Sequence, residues 1–148
     1  MFALDALARR DHASEELRGK LIDKGYDAGV VAGVIARLFD EHLLDDCRYV
    51  DNFIRHHAAD GHGPLHVRAA LRRRGLEGEL VETGIAAFPE WLPHLRAARQ
   101  KKFGAAPPTQ YADKQRQARF LGYRGFTGAQ IRTALGFDTD LDVDNDEL

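Results

Sequence analysis

Several features that mark particular classes of protein are scarce in this 148-residue chain. Cysteine, methionine and tryptophan occur once each. Because Cys47 is the only cysteine, no internal disulfide can form, and we expect the reducing cytoplasm as the compartment. No apolar run approaches the roughly 20 residues of a membrane span. Met1 is not followed by a basic and then apolar signal segment. These absences predict a soluble cytoplasmic protein with no membrane contact.

Motifs for nucleotide binding and covalent catalysis are missing as well. Nothing matches G-x-x-x-x-G-K followed by Ser or Thr. We interpret the loop at residues 61–64 as a helix-breaking linker rather than an anion site, because Pro64 removes a donor. Cys47 is interpreted as a small buried hydrophobe rather than a reactive thiol. Asp45 and Asp46 are interpreted as helix-end and helix-start residues. The sequence therefore predicts no enzyme activity and no cofactor.

Seven histidines raise the question of a metal site. Four of them are close in the sequence, namely His56, His57, His62 and His66. A zinc ion needs three or four ligands in a fixed arrangement. Gly61, Gly63 and Pro64 would break any single helix that presented these histidines together. We therefore predict no metal site and interpret the histidines as surface or loop residues.

An internal repeat is the most informative feature that the chain does contain. Gly25, Gly75 and Gly125 stand fifty residues apart. Each is preceded by a leucine at four residues and a base at one, and a large apolar residue follows it directly. Glycine suits the left-handed residue that ends a helix, so each one is predicted to separate two helices. A period near fifty is typical of a helical array whose units stabilise their neighbours.

The predicted fold is all-α, because no stretch shows sustained strand alternation. We expect three tandem three-helix repeats, each related to the helix-turn-helix, in an elongated and curved array. Repeat 1 is placed at residues 1–46, repeat 2 at 47–91 and repeat 3 at 92–137. Ser14 is predicted to cap the second helix, and Asp27 the third. Residues 138–148 hold six acids and are predicted to form a disordered tail.

The net charge of −2 conceals a strong segregation. Residues 1–54 hold 7 bases and 11 acids, residues 55–124 hold 13 and 6, and residues 125–148 hold 1 and 6. A basic middle indicates phosphates or an acidic protein groove as partner, although an ordinary solvated face is the alternative. Ten bases are the candidate partner-binding or nucleic-acid-binding residues: Arg68, Arg72, Arg73, Arg74, Arg99, Lys101, Lys102, Arg116, Arg119 and Arg124.

Aromatic residues lie between these bases and could stack on the bases of a single strand. Helical spacing assigns Phe120 and Phe126 to the core instead. Tyr111 and Tyr123 remain as surface aromatics.

Three stretches of the chain, in the same order, resemble the RecX family of recombination regulators. They read ALDALARRDHASEEL at residues 3–17, GHGP and RRGL within residues 61–76, and RFLGYRGF at residues 119–126. The resemblance covers residues 3–136. The acidic tail is not part of it, and almost nothing precedes the first helix.

The resemblance implies a non-enzymatic protein that binds in the groove of the RecA filament on single-stranded DNA. Such a protein inhibits the RecA ATPase, strand exchange and coprotease activity, and so restrains recombination and the SOS response. No extra apolar stripe demands a dimer, so we expect a monomer. A weak contact with single- or double-stranded DNA is also expected. The alternative is a helix-turn-helix-like protein that binds DNA directly, although residues 30–37 and 79–86 are mostly apolar or acidic. A passive helical scaffold for another partner is a third possibility.

Overall fold

The computed structural model describes residues 2–9 and 13–136, and within that part of the chain it contains nine α-helices and no strand. The predicted all-α fold is confirmed, while the curvature of the array stays a prediction. The acidic tail at residues 138–148 lies outside the described residues. No helix in the described part is long and apolar enough to cross a membrane. The helices are α1 (Phe2–Arg9), α2 (Ser14–Asp23), α3 (Ala28–Asp40), α4 (Asp46–Ala59), α5 (Pro64–Arg73), α6 (Glu79–Ala87), α7 (Trp91–Phe103), α8 (Tyr111–Tyr123) and α9 (Gly128–Leu135).

A glycine with positive φ ends the second helix of each repeat. The φ angle is +97° at Gly25, +82° at Gly75 and +95° at Gly125, a region that glycine enters without steric cost. This is the Schellman arrangement, in which the residue after the glycine packs back on the helix. It explains the repeated register of leucine, glycine and apolar residue. The amide after each glycine donates to the carbonyl of the leucine five residues earlier, at 3.3 Å from Tyr26 to Leu21, 2.9 Å from Leu76 to Leu71 and 3.1 Å from Phe126 to Leu121.

The apolar core is divided unequally between the repeats. Helices α1–α3 enclose one small cluster of buried residues, whereas α4–α9 enclose a single larger one. Among the described residues, Ala13 is the one member of the first three helices' segment that joins the larger cluster. Repeats 2 and 3 therefore form one unit, and repeat 1 has a core of its own. The fully buried side chains of the larger cluster include Ile54, Leu71, Leu95, Leu121, Phe126 and Ile131.

Helix packing differs in the same way between repeat 1 and the others. Helix α4 packs along α6, α7 packs along α9, and α4 contacts α7, whereas α1 packs mainly on α2. As a result Tyr26 is 49% exposed, although its counterparts Leu76 and Phe126 are buried. Tyr26 lines an apolar groove with Phe2 and Val30 on the surface of repeat 1.

Two local predictions are wrong and one is confirmed. Ala13, not Ser14, is the N-cap of α2, and the carboxylate of Asp46 accepts hydrogen bonds from the Ser14 amide at 2.8 Å and hydroxyl at 2.6 Å. Cys47 is exposed rather than buried, because the core-facing side of α4 begins two residues later. Asp27 caps α3 as predicted.

Candidate partner-binding surface

Three of the ten candidate bases are paired with carboxylates inside their own repeat. Each pair is largely exposed, so it contributes little to stability. Each carboxylate nevertheless cancels a positive charge that a partner would otherwise meet. The closest nitrogen–oxygen distances are 2.6, 3.5 and 3.7 Å in the pairs Arg68–Glu82, Arg72–Glu77 and Arg116–Asp113.

Arg74 joins repeat 2 to repeat 1. Its Nη1 donates to the hydroxyl of Tyr49 at 2.8 Å and lies 3.7 Å from a carboxylate oxygen of Glu16 on α2. The guanidinium also lies over the ring of Phe53, with its carbon 5.2 Å from the ring centre. Arg74 therefore has a structural role at the joint between the two repeats.

Arg124 joins repeat 3 to repeat 2. Its Nη2 donates to the carbonyl of Asp60 at 2.5 Å, and its Nε donates to the carbonyl of Gly61 at 3.0 Å. The Arg124 carbonyl in turn accepts from the amide of Gly63 at 2.8 Å. Arg74 and Arg124 are the bases that the repeat places one residue before the turn glycine. In both cases this base fastens its repeat to the preceding one.

Arg99 forms a hydrogen bond inside repeat 3. Its Nη1 donates to the side-chain oxygen of Gln117 at 3.3 Å. Gln117 is buried at the position that Leu17 and Val67 occupy in the other repeats. A buried amide needs a hydrogen-bond partner, and Arg99 supplies one.

The remaining four candidates are exposed, and within the described ranges none of them forms an ion pair with a carboxylate. We call Arg73, Lys101, Lys102 and Arg119 the basic quartet. Lys102 lies over the ring of Phe120, with its nitrogen 5.8 Å from the ring centre. The quartet carries the uncompensated positive charge among the ten candidates. All four belong to repeats 2 and 3, whose shared core fixes the distances between them.

A surface groove of about 440 Å³ lies between α7, α8 and the loop after α4. Lys101, Lys102 and Arg124 line it, and Phe120 and Ala98 contribute apolar surface. Asp60 also lines the groove, so its wall combines both signs of charge with apolar surface.

The surface aromatics predicted from the sequence are exposed. Tyr123 is 84% exposed and Tyr111 is 57% exposed. Phe126 is fully buried as predicted, and Phe120 is half-buried against the larger core. Tyr123 immediately precedes Arg124, so it stands beside the joint of repeats 2 and 3.

The histidines of repeat 2 are arranged differently from our expectation. The break at residues 61–64 folds α5 back against α4, and so brings His57, His62 and His66 together rather than apart. The rings of His62 and His66 stack with their centres 3.8 Å apart, and His57 stacks on Phe53 at 4.0 Å. Spacing along one helix cannot reveal this cluster, because His57 lies on α4, His62 in the loop and His66 on α5.

Burial and nearby positive charges keep these three imidazoles neutral. Burial is the main reason that the pKa of His62 falls to about 4, and the neighbouring His66 and Arg124 lower it further. The pKa values of His57 and His66 are also lowered, mainly by burial. The three rings therefore offer free lone pairs at neutral pH.

Comparison with known families matches three successive segments of the chain. The family model described as the first three-helix domain of RecX matches residues 2–38, the second matches residues 45–85, and the third matches residues 92–135. Together these segments include most of the described helices.

Curated relatives agree over nearly the whole length. The chain is 41% identical over 133 residues to the regulatory protein RecX of Halorhodospira halophila, covering 89% of this chain and 83% of that protein. It is 42% identical over 142 residues to the regulatory protein RecX of Acidithiobacillus ferrooxidans, covering 95% and 90%.

Solved structures show the same fold. The crystal structure of RecX from Lactobacillus salivarius superposes with a TM-score of 0.77 at 18% identity, covering 90% of each chain. A second crystal structure, of a regulatory protein RecX, gives a TM-score of 0.72 at 18% identity, covering 90% of this chain and 69% of the other.

Proposed function

This chain belongs to the RecX family, and on that premise we propose that it binds the RecA filament on single-stranded DNA and inhibits it. The proposed inhibition covers the ATPase, strand exchange and coprotease activity of RecA, and therefore recombination and the SOS response. The role is non-enzymatic, and the protein acts as a monomer in the cytoplasm.

The basic quartet is the observation that supports a filament as partner. Arg73, Lys101, Lys102 and Arg119 are exposed and, among the described residues, have no intramolecular carboxylate. They can therefore meet an anionic surface without first breaking an ion pair. A filament on DNA offers the DNA phosphates, and we propose an acidic wall of its groove as the second such surface.

Of the ten candidate bases, only the four of the basic quartet are therefore proposed as the main contacts with the filament. Arg74, Arg99 and Arg124 hold the fold together, and Arg68, Arg72 and Arg116 are compensated by nearby carboxylates. We propose that the first three act by holding the repeats in place, and that the second three add little attraction because the carboxylates cancel their charge. The quartet supplies most of the attraction, with Tyr123 as an adjacent contact for an apolar or stacked group.

Repeat 1 is joined to repeat 2 less extensively than repeat 2 is joined to repeat 3, and this difference suits binding along a filament. Repeats 2 and 3 share one core, so they present the quartet as a rigid unit. Helices α1–α3 are joined to the other helices mainly by side-chain contacts such as Ser14 with Asp46 of α4 and Glu16 with Arg74. We propose that repeats 2 and 3 bind one part of the filament groove while repeat 1 contacts a neighbouring protomer. Several modest contacts on one chain then add through their high effective concentration.

The decisive experiment is a titration of this protein into RecA that hydrolyses ATP on single-stranded DNA. We expect the ATPase rate to fall as the concentration rises, and to fall at concentrations where the protein alone does not bind the DNA. An unchanged rate at saturating concentration contradicts the proposal. Tight binding to DNA without RecA, with a steep salt dependence, would instead support the helix-turn-helix-like alternative.

A further inference from the structure

We propose that His57, His62 and His66 form a binding site for a divalent transition-metal ion, with Zn²⁺ as the ion to test. Imidazole nitrogens are suitable ligands for zinc, nickel and copper ions. Three histidines with a water molecule complete a tetrahedral zinc site.

The distances between the rings are close to those of a three-histidine site. One nitrogen from each ring lies within 4.8 Å of the other two. Nitrogens bound to one zinc ion are about 3.4 Å apart, so the rings must approach by up to roughly 1.4 Å. The lone pairs lie in the ring planes, so one member of the His62–His66 stack must also turn. His66 is partly exposed and therefore has room to do so.

Unsatisfied polar atoms give an independent reason for a ligand at this place. The Nδ1 atoms of His57 and His62 are shielded from solvent and, among the described residues, have no hydrogen-bond partner. Buried nitrogens normally have one, and leaving one unpaired costs about 1–3 kcal/mol. Stacking on Phe53 explains the position of the His57 ring, but it leaves this nitrogen without a partner.

The surrounding positive charges favour the neutral imidazoles that bind a metal ion, but they also weaken the affinity for that ion. The neutral imidazoles need not lose a proton when a metal ion binds at pH 7. The positive charges of Arg73 and Arg124 act on the cluster and oppose a cation, whereas the carboxylate of Asp60 favours one. We therefore expect weaker binding than at a closed four-ligand structural site.

A metal ion bound to the three histidines would affect the contact between repeats 2 and 3. His62 and His66 flank the segment that docks on repeat 3, where the amides of Gly63 and Leu65 donate to carbonyls in residues 124–125 at 2.8 and 2.9 Å. A metal ion that holds both histidines would restrain this segment. It would therefore slow the opening of the joint between repeats 2 and 3.

Calorimetric titration of the full chain with Zn²⁺ tests the site, after removal of metal with a chelator and in a Cys47→Ser background that removes the exposed thiol. We expect one ion per chain. His62→Tyr and His66→Gln each remove one of three ligands and should lower the affinity at least about tenfold. His56→Gln and His94→Gln change histidines outside the cluster and should leave it unchanged.

The proposal is overturned by an absence of binding, by equal loss in His94→Gln, or by binding that disappears with Cys47→Ser alone. A measurement on the chain without cluster substitutions guards against misfolded variants. Zn²⁺ should shift the imidazole resonances of all three histidines and slow amide exchange at Gly63 and Leu65 at least about threefold. Unchanged resonances and exchange rates also overturn it.

Discussion

The amide of Gly63 donates a hydrogen bond of 2.8 Å to the carbonyl of Arg124. The guanidinium of Arg124 returns to the same loop and donates to the carbonyls of Asp60 and Gly61. Backbone and side chain thus fasten repeat 3 to repeat 2 at one place, directly beside their shared core. Because cooperative units unfold together, we expect these two repeats to unfold in a single transition.

Gly63→Ala adds only a methyl group, but it should weaken the contact between repeats 2 and 3 strongly. A Cβ atom at Gly63 would lie 2.4 Å from backbone atoms of Gly125 and from the amide nitrogen of Phe126. The φ angle of −92° suits alanine, so the clash alone is tested. We expect a loss of about 3 kcal/mol in the free energy of unfolding, measured by urea denaturation. Gly33→Ala is the control, because no atom lies within 4 Å of its added Cβ. That substitution should stabilise α3 by up to about 1 kcal/mol.

Arg124→Met should remove the side-chain half of the same joint. Methionine preserves much of the aliphatic stem but cannot donate to the carbonyls of Asp60 and Gly61. Loss of the charge-assisted bonds should cost about 1–2 kcal/mol in urea denaturation, since the arginine is partly exposed. Arg119→Met within α8 replaces an exposed arginine of the basic quartet, and should change stability by less than about 0.5 kcal/mol. Equal effects of the two substitutions would show that Arg124 is not a structural residue.

The sequence predicts these joints only in part. The turn at Gly125 follows from local chemistry, because the leucine, glycine and apolar residue lie within six positions and determine one another's geometry. The separate roles of Arg72, Arg73 and Arg74 cannot be predicted from local chemistry. Three adjacent arginines look alike in sequence, and their partners are selected by tertiary contacts.

Dependence on tertiary contacts also explains why the sequence does not predict the histidine cluster or the exposure of Cys47. His57 and His66 belong to different helices, and the angle at which the linker joins these helices decides whether their rings meet. Cys47 has an apolar character that favours burial, but the rotation of α4 about its axis leaves it on the outside. Local patterns therefore predict elements and core positions, whereas the use of individual polar residues depends on how the repeats dock.

Asp46→Ala should loosen repeat 1 without unfolding the rest. The Asp46 carboxylate accepts from both the amide and the hydroxyl of Ser14, and so replaces the cap that Ala13 cannot provide. Loss of this cap should cost about 1–2 kcal/mol. Native-state hydrogen exchange should then be about tenfold faster in α2, with little change in α8. Asp45→Ala is the matched control, because the Asp45 side chain caps α4 rather than α2. Faster exchange in α8 as well would mean that the three repeats are one cooperative unit.

Charge reversal in the basic quartet tests the proposed interaction with the RecA filament. Arg73→Glu combined with Arg119→Glu changes the net charge by −4 and, among the described residues, breaks no intramolecular ion pair. Attraction to an acidic groove or to phosphates becomes repulsion. We expect at least about tenfold more protein to be needed for half inhibition of the RecA ATPase, which corresponds to about 1.4 kcal/mol of binding free energy.

The effect of net charge must be separated from the effect of position. Arg55→Glu combined with Arg132→Glu changes the net charge equally. Both residues are exposed, lie outside the ten candidates and, among the described residues, form no ion pair. If overall charge alone guides the protein to the filament, both double variants lose inhibition to the same extent. If the quartet makes the contact, the control variant keeps most of its inhibition, because its substitutions lie outside the proposed contact. Inhibition that survives reversal of Arg73 and Arg119 would assign the attraction to residues outside the quartet.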